Sequence, residues 1–200
     1  SLAGALLYLR EEILGLSQYG IVYLLVIGML GVVVVTGHRI KLVEIGSIIF
    51  VTVYIFVGFY SLYMLRDLSL AHIGYLLLTI WFTDSFAYIG GMRFGKNKLS
   101  PKISPNKSIE GSVIGSLSSI VIALVFYFTT SIFTNLAVAI GITLVVSVIG
   151  QFGDLIESAY KREYGVKDSS NLLPGHGGIF DRFDSVILSA PCLILLLNLL

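Results

Sequence analysis

Cysteine is all but missing from this chain. Cys192 is the only one, which excludes a disulfide within the chain and any metal cluster built from cysteines. Histidine is nearly as scarce, at three residues, so a histidine-rich metal centre is not expected. Charge is thin: 12% of residues are Asp, Glu, Lys or Arg, about half the usual share of ~25%. The 13 basic and 12 acidic residues leave a net charge of +1, so no global field attracts nucleic acid, and no nucleic-acid partner is expected. No internal repeat stands out, and the short alternating strands of a membrane β-barrel are not seen.

What fills the chain instead is apolar. Hydrophobic residues make up 56% of it and the mean hydropathy is +0.93, a membrane composition. A bilayer core takes about 20 mainly apolar helical residues per crossing. Six segments meet that length or come near it, at 19–36, 43–65, 70–91, 109–131, 135–152 and 183–200. Lipid offers the backbone no hydrogen-bond partners, so these segments must be helices. The expected fold is an all-α polytopic bundle of about six transmembrane helices around a polar cavity. The opening string "SLAGALLYLREE" starts at Ser1 and reads as the tail of a hydrophobic segment. It does not read as a signal peptide, and further residues are expected upstream.

Six crossings sort the loops onto two sides. Arg39, Lys41, Arg93, Lys96, Lys98, Lys102, Lys107, Lys161, Arg162, Lys167 and Arg182 fall on one side, against Arg10 and Arg66 on the other. The basic side should face the cytosol. This predicts a multi-pass protein of the cell (inner) membrane with its polar loops in the cytoplasm.

Several polar residues do not belong in lipid. Asp84 lies inside the third segment, "TIWFTDSFAYIGGMRFGK", where an ionisable group costs at least ~2.5 kcal/mol. A plain helix-to-helix contact could hold it, but intramembrane charges more often mark function. The fifth segment runs on into "GQFGDLIESAYKR", where helical spacing puts Asp154, Glu157, Ser158 and Lys161 on one face. In a soluble protein that would be a solvated stripe; continuing an apolar span, it should look into a cavity. Asp181 and Asp184, three apart at the start of the last segment, share a face as well. A hard divalent cation such as Mg²⁺ would suit two such carboxylates and could bridge to phosphates. Capping of the helix by Asp181 is the rival explanation. Just upstream, the Gly177 and Gly178 turn beside His176 could cradle phosphate oxygens with backbone N–H groups. The loop "KNKLSPKISPNKSIEG" adds four lysines, suited to a solvated surface near anionic headgroups. Lys107 and Glu110 stand at the mouth of the next span, near the same side. The residues by themselves point to a membrane enzyme that handles phosphate.

One stretch is more specific. "SAYKREYGVKDSSNLLPGHGGIFDRFD", residues 158–184, closely resembles the signature of the phosphatidate cytidylyltransferase, or CDP-diacylglycerol synthase, family. That pattern fixes Ser158, Lys161, Arg162, Lys167, Asp168, His176, Gly177, Gly178, Asp181, Arg182 and Asp184. Tyr160 stands where an aliphatic or Phe side chain is usual. "DSFAYIGGMRFGK", "SPNKSIEG" and "GDLIES" are similar to further family blocks, with Ser108 where threonine is commoner. The resemblance covers about residues 81–184, and the first three segments match only in being apolar. It suggests N-terminal transmembrane helices over 1–80, truncated at the start, and a catalytic transmembrane region with cytosolic loops over 81–200.

The resemblance implies a nucleotidyltransferase of phospholipid biosynthesis that converts CTP and phosphatidic acid to CDP-diacylglycerol and pyrophosphate with Mg²⁺. It also implies a second cation such as K⁺, membrane-lipid contacts and a homodimer. On it, Asp154, Asp181 and Asp184 would hold the metal. Asp154, Lys167, Asp181 and Asp184 would be catalytic. Asp84, Lys107, Glu110, Ser158, Lys161, Arg162, Asp168, His176, Gly177, Gly178 and Arg182 would contact substrate or complete the cavity. Two rival functions use parts of the same chemistry. A CTP-dependent lipid (polyprenol) kinase would transfer the terminal phosphate. An ion-coupled transporter would use Asp84 and Asp154 at membrane depth, leaving the glycine turn unexplained.

Overall fold

A computed structural model describes residues 18–36, 42–166, 178 and 180–199. Its elements, in chain order, are α1 (Gln18–Val35), α2 (Leu42–Leu68), α3 (Leu70–Phe94), β1 (Lys98–Ser100), β2 (Ser104–Ser108), α4 (Ile109–Ser118), α5 (Ile120–Thr129), α6 (Leu136–Glu163) and α7 (Phe180–Leu197). The chain divides into two compact units, residues 1–60 and 61–200. The first holds α1 and most of α2. The second holds everything that bears on the site.

Every apolar segment read from the sequence is helical, and the protein is an all-α polytopic membrane protein. Among the described residues four stretches are long and apolar enough to cross a bilayer: Val43–Leu68, Leu70–Phe94, Ile109–Thr129 and Leu136–Glu163. The other two expected segments, α1 and α7, are 18-residue helices. At 1.5 Å per residue each reaches about 27 Å, short of a core of about 30 Å. In addition, α7 opens with Asp181, Arg182 and Asp184, so its first turn is polar.

Local chemistry sets the breaks. Ser69, Ser108 and Asn135 cap α3, α4 and α6, their side chains accepting from the N–H groups of His72, Gly111 and Ala137, which satisfies donors that a helix start leaves open. The expected single span 109–131 is interrupted at Ser119. There Ser118 and Ser119 each donate a hydroxyl to the carbonyl three residues back, on Gly115 and Ser116, at 2.7 Å, and side-chain bonds of this kind bend helices. The lysine-rich loop folds into an antiparallel hairpin of β1 and β2, with Lys98 opposite Ser108 and Ser100 opposite Ser104.

The core of the second unit centres on Tyr75, which is fully buried. Its ring meets Phe126 and Phe133 edge-on at 5.4 and 5.1 Å, a favoured aromatic geometry. Its hydroxyl shares a 2.6 Å hydrogen bond with Thr143 of α6, so α3, α5 and α6 are joined at one point. Helices α3 and α4 cross closely because Gly111 has no side chain: a Cβ there would lie 2.5 Å from the Ala87 carbonyl oxygen. Small residues permit such crossings in membranes.

Candidate active site

The site grows from polar groups on α3, the hairpin, α6 and α7. Two aspartates are delivered by the packing of α6 on α7. Gly153 is what lets those helices meet, since a Cβ at that position would lie 2.6 Å from the Asp184 carbonyl oxygen. Asp154, the next residue, and Asp184 are thereby brought into electrostatic contact with each other. Asp84 of α3 interacts with both, and Lys107 at the end of β2 is the cation that all three carboxylates feel. Lys107 also donates directly to the Asp154 carboxylate. Ser158, one turn on, donates to the other Asp154 oxygen at 3.3 Å.

These groups border a cavity of about 800 Å³, within the size range of small-molecule sites. Asp84, Lys107, Asp154, Asp181, Arg182 and Asp184 line it, with Lys98 on the hairpin. Trp81, Tyr88 and Met92, on the same helix as Asp84, also line it, all largely exposed. Gln151 and Ser112 also border it. The Gln151 amide donates to Ser116 at 2.9 Å, and Ser147 in turn links Ser116 to Thr83. That buried chain ties α3, α4 and α6 together beneath the aspartates.

A second cluster lies beside the first. The Lys161 ammonium sits 2.5 Å from Glu157 and 2.7 Å from Asp181. Glu157 is only 1% exposed, so Lys161 is the charge that permits its burial. Asp181 also accepts from the Gly178 backbone N–H at 2.7 Å. Asp181 lies inside the first turn of α7, so this bond reaches back to a residue before the helix and is not the N-cap expected of it.

The remaining sequence-derived site residues fall elsewhere. Glu110 does not border the cavity; it binds the backbone of Lys96 and Asn97. The exposed Arg162 reaches the Ile103 carbonyl of the hairpin at 3.4 Å. Lys167, Asp168, His176 and Gly177 lie outside the described residues. Among the described residues no group of three His, Cys, Asp or Glu side chains sits at metal-binding spacing. The donor set nonetheless suits a hard cation: Asp154, Asp181 and Asp184 border the same cavity, and carboxylate oxygens are what Mg²⁺ takes.

Sequence reasoning passed over Trp81, Lys98, Ser112 and Gln151. Gln151 could have been found, because it stands three residues before Asp154 on the same helix face within an apolar stretch. Lys98 could not, since only the hairpin register, with Lys98 opposite Ser108, brings it to the cavity beside Lys107.

A helical protein that crosses the membrane several times and gathers carboxylates, ammonium groups and aromatics around one cavity is a multi-pass membrane protein built to hold charged ligands. The profile of the Cytidylyltransferase family matches residues 2–200, and the chain belongs to that family. It is similar to the phosphatidate cytidylyltransferases of Staphylococcus aureus (strain COL) and Staphylococcus haemolyticus (strain JCSC1435), each 41% identical over 169 residues. It is 42% identical over 169 residues to that of Staphylococcus epidermidis (strain ATCC 12228). In all three the match covers 84% of this chain and 65% of the relative. The chain thus spans somewhat under two thirds of the length of these relatives.

Proposed function

We propose that this protein is an Mg²⁺-dependent phosphatidate cytidylyltransferase, joining CTP to phosphatidic acid to give CDP-diacylglycerol and pyrophosphate. The observation that carries the reading is the single cavity lined by Asp84, Asp154, Asp181 and Asp184, with Lys107 bound to Asp154 and with Trp81, Tyr88 and Met92 in its lining. Family membership and the names of the staphylococcal relatives support it.

An oxygen of the lipid phosphate monoester attacks the α-phosphorus of CTP. A new P–O bond forms as the bond to the β-phosphate oxygen breaks, and the electron pair leaves with pyrophosphate. The nucleophile is already ionised near neutral pH, so the protein need not create one. Its task is to bring two anions together and to stabilise the charge that develops. Asp154, Asp181 and Asp184 would hold Mg²⁺, which when bound neutralises phosphate charge. Lys98 and Arg182, which line the cavity, would meet the triphosphate, and Lys167, His176, Gly177 and Gly178 of the family pattern would complete the set. The exposed Trp81, Tyr88 and Met92 offer an apolar surface for an amphiphile. A second cation such as K⁺ adds to the charge balance, the site faces the cytoplasm from the bacterial inner membrane, and the active form is a homodimer.

The test is to incubate the purified protein with CTP labelled at the α-phosphate, Mg²⁺ and phosphatidic acid. A labelled lipid with release of pyrophosphate is expected. Release of CDP with a newly phosphorylated lipid would replace this reading with lipid-kinase chemistry, and flux of solute without turnover would replace it with transport. The Asp184→Ala variant should lose the labelled lipid while keeping its elution profile in detergent.

A further inference from the structure

We propose that Glu110 is a positioning residue of this site: it locks the root of the β1–β2 hairpin and so holds Lys107 among the three aspartates. The inference rests on the functional reading above for its kinetic part and on geometry alone for the rest.

Glu110 stands in the first turn of α4, three residues after Lys107. Its carboxylate accepts from the Lys96 N–H at 3.1 Å, the Asn97 N–H at 3.2 Å and the Asn97 side-chain amide at 2.7 Å. The Ile109 N–H returns a bond to the Asn97 carbonyl at 2.9 Å. Residues 96–97, which enter the hairpin, are thus bound to residues 109–110, which leave it. Hydrogen bonds to an ionised acceptor are about twice as strong as neutral ones, and one carboxylate here collects three.

The hairpin needs this clamp. A two-stranded ribbon is marginal in water by itself, and β1 has only three residues, with an irregular register. At its far end the Ile103 carbonyl takes a long 3.4 Å contact from Arg162 of α6. Yet this ribbon delivers Lys107, the cation shared by Asp84, Asp154 and Asp184. If the ribbon frays at residues 96–97, a long flexible side chain loses its fixed origin and the aspartates lose their common counter-charge. Glu110 acts through Lys107 and touches no reacting atom.

Competitive amine acetylation read by mass spectrometry tests the geometry directly. In the intact protein Lys107, held by Asp154, should react more slowly than the exposed Lys102. Glu110→Ala should raise the Lys107 rate about fivefold or more while leaving Lys102 and the buried-paired Lys161 unchanged. Glu110→Gln keeps a carbonyl acceptor and should restore most of the protection. An unchanged Lys107 rate in Glu110→Ala would overturn the proposal, and so would a simultaneous rise at Lys161, which would mean general loosening. Kinetics supply the second arm. Glu110→Ala should lower kcat about tenfold, yet change it less than about twofold when Lys107 is already Met, because residues coupled through one shared element are not additive. Additive losses would show Glu110 acting independently of Lys107 and would also overturn it. Should the parent protein make no CDP-lipid, the functional reading fails, while the labelling result still decides the role of Glu110.

Discussion

Lys107, on strand β2, donates its ammonium to the carboxylate of Asp154, 47 positions further along the chain on α6. The bond joins the hairpin to the helix that carries Asp154 and Gln151, and it places a positive charge where the proposed Mg²⁺ would also bind. Lysine and metal therefore compete for one carboxylate. Replacing Lys107 with Met removes the competitor and leaves Asp84, Asp154 and Asp184 without their shared cation. Two unit charges 4 Å apart interact by about 4 kcal/mol at an effective dielectric constant of about 20. A fraction of that, about 1.4 kcal/mol, is tenfold in an equilibrium constant. The Lys107→Met variant should reach half-maximal activity at an Mg²⁺ concentration about tenfold lower than the parent, with a lower maximal rate. An Mg²⁺ titration of initial rates checks this, and an unshifted midpoint would show that Lys107 and the cation do not share Asp154.

Lys161 makes a different prediction from the one its place in the family pattern suggests. It lies between Glu157 and Asp181, and Glu157 is almost wholly enclosed. Taking away one partner of a buried pair costs about 3–5 kcal/mol because the other charge is left uncompensated. Lys161→Met should therefore lower the unfolding temperature in detergent markedly. Adding Glu157→Gln should return part of the lost stability, since the more deeply buried of the two carboxylates left without Lys161 is then gone. Loss of activity in Lys161→Met at unchanged stability would instead make Lys161 a substrate contact.

How much of this was readable in advance follows from where the information sits. The helices were legible because an apolar run of span length has only one way to satisfy its backbone in lipid. The aspartates were legible because Asp84, Asp154, Asp181 and Asp184 are out of place in such runs. The face shared by Asp154, Glu157, Ser158 and Lys161 followed from helical spacing, and the Ser158 to Asp154 and Lys161 to Glu157 contacts bear it out. What could not be read is which group across the interface answers each one. Asp154 and Glu157 are three residues apart, yet one turns to Lys107 and the other to Lys161. The family resemblance puts Glu110 at the cavity, three residues from Lys107. The hairpin, which no alternation of apolar residues announces in "KLSPKISPNKS", turns it to the backbone of residues 96–97.

The crossing of α3 and α4 gives a prediction that separates packing from chemistry. Gly111 and Gly141 are both helical, on α4 and α6, and in each the change to Ala adds one methyl group and gains up to about 1 kcal/mol in helix propensity. At Gly141 nothing lies within 4 Å of the new Cβ, so Gly141→Ala should leave the unfolding temperature unchanged or raise it. At Gly111 the new Cβ would stand 2.5 Å from the Ala87 carbonyl oxygen and 2.9 Å from the Gly91 nitrogen and Cα. All three are backbone atoms and cannot rotate away, so the two helices must part. Overpacking of this kind costs about 1–3 kcal/mol, more than the propensity gain at the upper end. The same displacement moves Asp84, which rides on α3 one turn before Ala87, away from Asp154. Gly111→Ala should therefore lose both stability and turnover, while Gly141→Ala keeps both. Equal unfolding temperatures for the two variants, measured in the same detergent, would mean that α3 and α4 do not approach so closely and that the position of Asp84 is set by something else.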